Sequence, residues 1–159
     1  MSTGLVVFVC TGNVCRSPMA EYLLRAELGP ESIWEVSSAG LLAGAGMPAS
    51  REGISILAER GVDMTPHRSR PLGRELVDAA TLLVVMTRSH RDQCLALFPD
   101  AAEKVYLLKT FDPEAEGGDI DDPIGLPAQV YASTFAIIQA AIPGLMQYLE
   151  TYEETGEHS

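Results

Sequence analysis

The stretch LVVFVCTGNVCRSPMAE, residues 5–21, joins an apolar run to a helix through a turn that carries two of the chain's three cysteines. Residues 5–9 are apolar without alternation and rich in β-branched and aromatic side chains, the pattern of a strand buried on both faces. Gly12 and Asn13 tolerate backbone conformations that other residues avoid. Pro18 suits a first helical turn, where its missing N–H leaves no bond unmade. The stretch therefore predicts a strand, a tight turn and a helix over residues 19–28, capped by Ser17 and stopped by Gly29-Pro30.

The same alternation continues outward from it. Residues 33–37, 81–86 and 104–108 carry strand patterns, and residues 50–60, 73–77 and 88–98 carry helical ones, punctuated by Gly61 and Pro99. Between them lie a small-residue loop over 40–48 and a polar loop around Gly117-Gly118. A final helix is predicted from Pro127 to about residue 151, bent near Pro143-Gly144. Strands alternating with helices define an α/β fold: a single domain over residues 1–159 built on a four-stranded, open parallel sheet with helices on both faces. Residues 153–159 are expected to form a disordered tail.

Composition narrows the function. A length of 159 residues suffices for one ordinary domain and a sizeable core. No apolar run is expected to reach the roughly 20 residues of a membrane helix, and the N-terminus lacks a secretory pattern. Three cysteines, an odd number, speak against a disulfide framework, so a cytoplasmic protein is expected. A net charge of −11 and a pI near 4.6 count against a nucleic-acid partner. No membrane partner is expected either, and any bound anion must be held locally against the global field.

The turn at residues 10–16 lies at the carboxyl end of the first strand, where open parallel sheets bind ligands. A strand-to-helix turn aims several backbone N–H groups at one point, and the helix N-terminus adds partial positive charge. Those groups favour a thiolate at Cys10. Arg16 closes the loop with a planar fork suited to two phosphate oxygens. The residues alone leave two other uses open: one half of a metal site, for which no second Cys/His pair has ligand spacing, and two buried structural cysteines. A Walker-type nucleotide loop fails for want of Gly-Lys-Ser/Thr.

Cys10-Thr11-Gly12-Asn13-Val14-Cys15-Arg16-Ser17-Pro18 resembles the C-x5-R-S signature of the low-molecular-weight protein tyrosine phosphatases and their arginine phosphatase relatives. Ser37-Ser38-Ala39-Gly40, His67-Arg68-Ser69-Arg70, Met86-Thr87 and Asp122-Pro123 follow in the family's order. The resemblance implies a hydrolase of phosphorylated protein residues with no metal and no cofactor, and with phosphate as product or competitive inhibitor. It makes Cys10 the nucleophile that forms a phosphocysteine and Arg16 the clamp on the phosphoryl oxygens. Thr11, Gly12, Asn13, Val14, Cys15 and Ser17 are then the phosphate-binding loop, with the Ser17 hydroxyl on the Cys10 sulfur and Ser38 and His67 as loop supports. It places the general acid in the second of two Asp-Pro pairs, at Asp122. The like charges of Asp119 and Asp121 add a physical reason, since crowding favours a protonated carboxyl. Asp112 is then a turn residue. Cys15 is either packing or the thiol that captures an oxidised Cys10, and Cys94 is buried packing.

Thiol-linked arsenate reduction and a non-catalytic phosphate-binding module are the remaining alternatives. The former needs a further downstream pair of cysteines, and the chain has only Cys94 there. Substrate preference turns on Val14, where the tyrosine phosphatases usually carry Ile and the arginine phosphatases Thr. Val14 favours phosphotyrosine because it offers no hydroxyl to orient attack on a phosphoguanidinium. Thr11, Thr87 and Ile124 lean toward the arginine group.

Overall fold

The computed structural model describes residues 4–155. Its strands are β1 (Gly4–Cys10), β2 (Trp34–Gly40), β3 (Leu82–Val85) and β4 (Val105–Leu107), and its α-helices are α1 (Arg16–Leu28), α2 (Arg51–Ala58), α3 (Arg74–Ala79), α4 (Arg88–Leu97) and α5 (Ala128–Thr155). The four strands form one parallel sheet in the order β2-β1-β3-β4.

Alternation within the strands builds two cores, because successive side chains point to opposite faces. Val6, Phe8, Leu82 and Val84 face the layer that includes Met19 and Leu24 of α1, Leu57 of α2 and Ile138 of α5. Val7, Val9, Leu83 and Val85 face the layer that includes Val77 of α3 and Cys94 of α4. Both sheet faces are therefore covered, which explains the unbroken apolar runs of β1 and β3.

Several boundaries differ from the sequence expectation. β2 runs to Gly40, three residues further than expected, because its ladder with β1 continues in register as far as Cys10 opposite Gly40. A Cβ at Gly40 would lie 2.6 Å from the Thr11 carbonyl oxygen and 3.0 Å from the Asn13 nitrogen, so only glycine permits this approach. α1 begins at Arg16 with Cys15 at its N-cap. Ser17 is not the cap: its hydroxyl is taken by Cys10 and Asn13. Short 3₁₀ turns at Pro99–Lys104 and Leu108–Phe111 flank β4.

α5 also departs from expectation. It runs through Pro143 to Thr155, so residues 153–155 of the expected tail are helical, and residues 156–159 lie outside the described residues. The Trp34 indole donates to Glu153 at 2.9 Å and holds that end of the helix. By length and composition, Ala128–Glu153 is apolar enough to cross a membrane, contrary to the expectation that no segment is. Its buried residues, Tyr131, Phe135, Ile138, Ile142, Leu145 and Leu149, recur every three or four positions and pack into the core against α1. That periodicity makes it a core helix of this domain.

Candidate active site

Cys10 ends β1 with 2% of its surface exposed, and its sulfur lies 2.9 Å from the Ser17 hydroxyl. Residues 11–15 loop around it. Among the described residues, none of their five backbone N–H groups donates to a protein acceptor. A loop of unbonded donors around a buried sulfur, at the start of α1, is an anion cradle.

Asn13 gives the loop its shape. It is the one non-glycine among the described residues with positive φ, at 58°. Its side-chain nitrogen donates to the Ser17 and Ser38 hydroxyls, both at 2.9 Å, and its side-chain oxygen accepts the Arg70 N–H at 3.0 Å. Its backbone carbonyl accepts from His67 Nε2 at 2.8 Å. Ser38 in turn donates to Glu21 at 2.5 Å, and Glu21 pairs with Arg25. Every polar atom of the buried Asn13 side chain is thus used, which holds a backbone conformation that side chains rarely adopt. Neighbouring segments fix the remainder of the loop: the Thr11 carbonyl accepts from Leu42 at 3.0 Å and the Val14 carbonyl from Ser50 at 2.8 Å.

Arg16 is 3% exposed and spans the two halves of the site. One terminal nitrogen donates to the Ile120 carbonyl at 2.8 Å, and the other lies 3.5 Å from an Asp122 carboxylate oxygen. Its Nε is buried and has no partner among the described residues. A guanidinium held at one corner, with an unbonded N–H at another, is oriented to receive an oxyanion. Asp122 accepts the Ile124 N–H at 3.1 Å and remains 39% exposed on the side-chain measure, so it reaches solvent and Arg16 together.

Asp119, expected to crowd Asp122, has its own partner. Asp119 turns to α4, where it accepts the Arg88 backbone N–H at 2.9 Å and faces the Arg88 guanidinium at 3.4 Å. Those contacts, the backbone one first, hold its pKa below the usual carboxylate range. Asp112 accepts the Glu114 N–H at 3.0 Å in a turn of its own. Cys15 is buried, with its sulfur 3.4 Å from the Tyr131 hydroxyl. Burial pushes its thiol pKa up, partly opposed by bonds to Tyr131 and Ser50. Cys94 lies in the core between α4 and the sheet, and burial pushes it up to about 11, so it is inert at neutral pH.

The structure thus brings Cys10, Thr11, Gly12, Asn13, Val14, Cys15, Arg16, Ser17, Ser38, His67 and Asp122 to one end of the sheet. It adds residues that the sequence reading omits: Glu21, Ser50, Arg70, His90 and the Ile120 carbonyl. Glu21 carried a local signal, since it falls four residues after Ser17 on one helix face. The others approach only through the fold.

A cysteine at a strand end, ringed by free N–H groups and faced by a buried arginine and an aspartate, defines a cysteine-dependent phosphatase. The sequence model of the low molecular weight phosphotyrosine protein phosphatase family matches residues 5–155, and the chain belongs to that family. A protein-arginine-phosphatase from Geobacillus stearothermophilus is 40% identical over 92% of this chain and 96% of its own length. A probable low molecular weight protein-tyrosine-phosphatase, EpsP, from Ralstonia solanacearum is 36% identical over 86% of this chain and 90% of its own. Among solved structures, the YwlE arginine phosphatase from Geobacillus stearothermophilus superposes with a TM-score of 0.86 at 39% identity, covering 96% of each chain. A low molecular weight protein tyrosine phosphatase from T. tengcongensis superposes at 0.85 and 37% identity, covering 91% of this chain and 99% of that one. The four-stranded parallel fold is that of the family, and the chain acts on phosphorylated protein.

Proposed function

We propose that the chain hydrolyses phosphotyrosine on proteins, with Cys10 as nucleophile, Arg16 as phosphoryl clamp and Asp122 as general acid. The observation that carries the chemistry is Arg16, which ends the loop that starts at Cys10 and is buried and held between the Ile120 carbonyl and Asp122. The Cys10 thiolate attacks phosphorus in line, the P–O bond to the tyrosine breaks, and Asp122 gives that oxygen its proton. The loop N–H groups and Arg16 hold the equatorial oxygens, where charge persists through the transition state. Water then attacks the phosphocysteine, Asp122 takes its proton, and Cys10 leaves as thiolate. Ser17 donates to that leaving sulfur, and phosphate departs as product and competes for the same cradle.

The apolar rim supports phosphotyrosine. Of the seven exposed large apolar side chains among the described residues, Leu42, Met47, Ile124 and Leu126 lie on the two loops that flank the phosphate loop. Exposed apolar surface concentrated beside a site marks a contact for a partner, here the phenyl ring and its flanking residues. Val14 adds no polar group to that rim, and one of its methyls lies 3.8 Å from where a Gly12 Cβ would stand. Phosphoarginine is the second reading, favoured by the Geobacillus relative and its solved structure. Parallel kcat/KM measurements on phosphotyrosine and phosphoarginine peptides decide between them. Three free cysteines, one of them the nucleophile, fit a reducing, cytoplasmic setting, and a net charge of −11 disfavours nucleic acid. The phosphatase domain is read over residues 5–155, the span that the family model matches.

Val14→Thr isolates the filter, because Val and Thr differ little in shape and the hydroxyl is the change. The expected result is a shift of at least about tenfold, ~1.4 kcal/mol, in the ratio of specificity constants toward phosphoarginine. Val14→Ile shifts the ratio the other way. A wild-type preference for phosphoarginine that Val14→Thr leaves unmoved would refute the tyrosine reading.

Oxidation supplies a further expectation for the second cysteine. Peroxide converts the Cys10 thiolate to a sulfenic acid, and the Cys15 thiol, near enough to feel the charge of Cys10, condenses with it and releases water. Inactivation is then reversible by thiol reductant, and mass spectrometry finds a Cys10–Cys15 disulfide. Sulfinic acid on Cys10 beside a free Cys15 would leave Cys15 with a packing role alone.

A further inference from the structure

One buried titratable group at the site takes no part in this chemistry. His90, in the first turn of α4, is 3% exposed, and its Nε2 lies 2.9 Å from the Thr11 hydroxyl. Its Nδ1 is buried and has no hydrogen-bond partner among the described residues. A buried N–H left unpaired is rarer than an under-used lone pair, so the network assigns the proton to Nε2, which donates to Thr11 Oγ1. Burial, and then the charge of Arg16, pushes the imidazole pKa down to about 4 against the opposing pull of Asp122 and Asp119. The ring is neutral in the working range.

The start of α4 also reaches the loop of the acid. The His90 N–H is capped by the Thr87 hydroxyl at 3.0 Å, and the neighbouring Arg88 N–H donates to Asp119 at 2.9 Å. The Ile120 N–H donates to the Met86 carbonyl at 2.9 Å, and the Ile120 carbonyl receives Arg16. One helix start is therefore bonded to residue 11, next to the nucleophile, and to residues 119–120, just before Asp122.

We propose that His90 is a positioning residue: through Thr11 it ties the nucleophile's end of the phosphate loop to the start of α4, whose own bonds to residues 119–120 do not pass through the imidazole. The proposal rests on the roles given above to Cys10 and Asp122. Thr11 is anchored on its other side by its carbonyl, which accepts from Leu42. The imidazole thus supplies the bond that holds its side chain, and the Nε2–H donor does so only while Thr11 offers an acceptor.

The test compares His90→Leu, His90→Gln, Thr11→Val and the His90→Leu/Thr11→Val double variant on two aryl phosphates, one with a good leaving group and one with a poor one. His90→Leu and Thr11→Val each lower kcat/KM by about tenfold, within the range that small misplacements cost. The loss is the same for both substrates, because the nucleophile's placement is disturbed and proton delivery is not. The double variant falls no further than about twofold below the weaker single one, the signature of residues acting through one bond. His90→Gln, whose amide can donate along a similar line, recovers most of the loss. Multiplying losses, no advantage of Gln over Leu, or a loss confined to the poor leaving group would each overturn the proposal. Should His90→Leu fail to fold, His90→Phe, which also lacks the donor and is closer in shape, takes its place in the cycle with Thr11→Val. Failure of the underlying roles would show elsewhere, as turnover surviving in Cys10→Ser.

Discussion

Cys10→Ser retains the fold and vanadate binding and loses turnover by about 10⁴-fold or more, the scale on which removal of a nucleophile acts. The cradle does not depend on the sulfur: its donors are the N–H groups of residues 11–15 and Arg16, and its shape is set by Asn13. A hydroxyl is a far weaker nucleophile than a thiolate at neutral pH, because it does not ionise there. It is also a worse leaving group, so any phosphoryl group it did accept would stay on the enzyme. Circular dichroism and isothermal titration with vanadate check the first half of the expectation, and turnover of a phosphotyrosine peptide checks the second. Undiminished turnover would remove Cys10 from the chemistry.

Asp122→Asn slows hydrolysis of aryl phosphates with poor leaving groups by about 10²-fold or more, and of those with good leaving groups far less, since only the former need the proton. The substitution is mild structurally. An Asn side-chain oxygen can still accept the Ile124 N–H that Asp122 accepts at 3.1 Å, so the loop keeps its turn. What disappears is the ionisable group 3.5 Å from Arg16. Asp112→Asn serves as the control, because Asp112 only closes a turn onto Glu114. A leaving-group dependence that follows Asp112 instead would assign the acid to the other Asp-Pro pair.

The order of strands and helices is legible in the chain because apolar runs, glycines and prolines act locally. The phosphate loop is legible too, since Cys10 to Ser17 are contiguous and their spacing carries the geometry. What supports the loop is much less so. His90 meets Thr11 across 79 positions, Arg70 meets Asn13 across 57, and Arg16 meets Ile120 across 104, so no local periodicity announces them. Ser17 misleads for a related reason: a serine before a helix suggests a cap, but here a buried sulfur and a buried amide claim the hydroxyl first. The end of α5 eludes local reading because its last turns are held by Trp34, more than a hundred residues away.

Asn13 donates to Ser17 and Ser38 and accepts from His67 and Arg70, and its hydrogen-bond partners do not include Val14, Leu42, Met47 or Ile124. On the proposed function, the side chains that shape the socket for phosphate and those that form the collar around the organic group are thus separate sets, and Val14 belongs to the socket only through its backbone. Mutations in the collar can drift without loosening the socket, so a lineage can exchange one phosphorylated side chain for another in a few steps. A mutation at Asn13 has no such freedom, because it would spoil the site for every phosphoryl substrate alike.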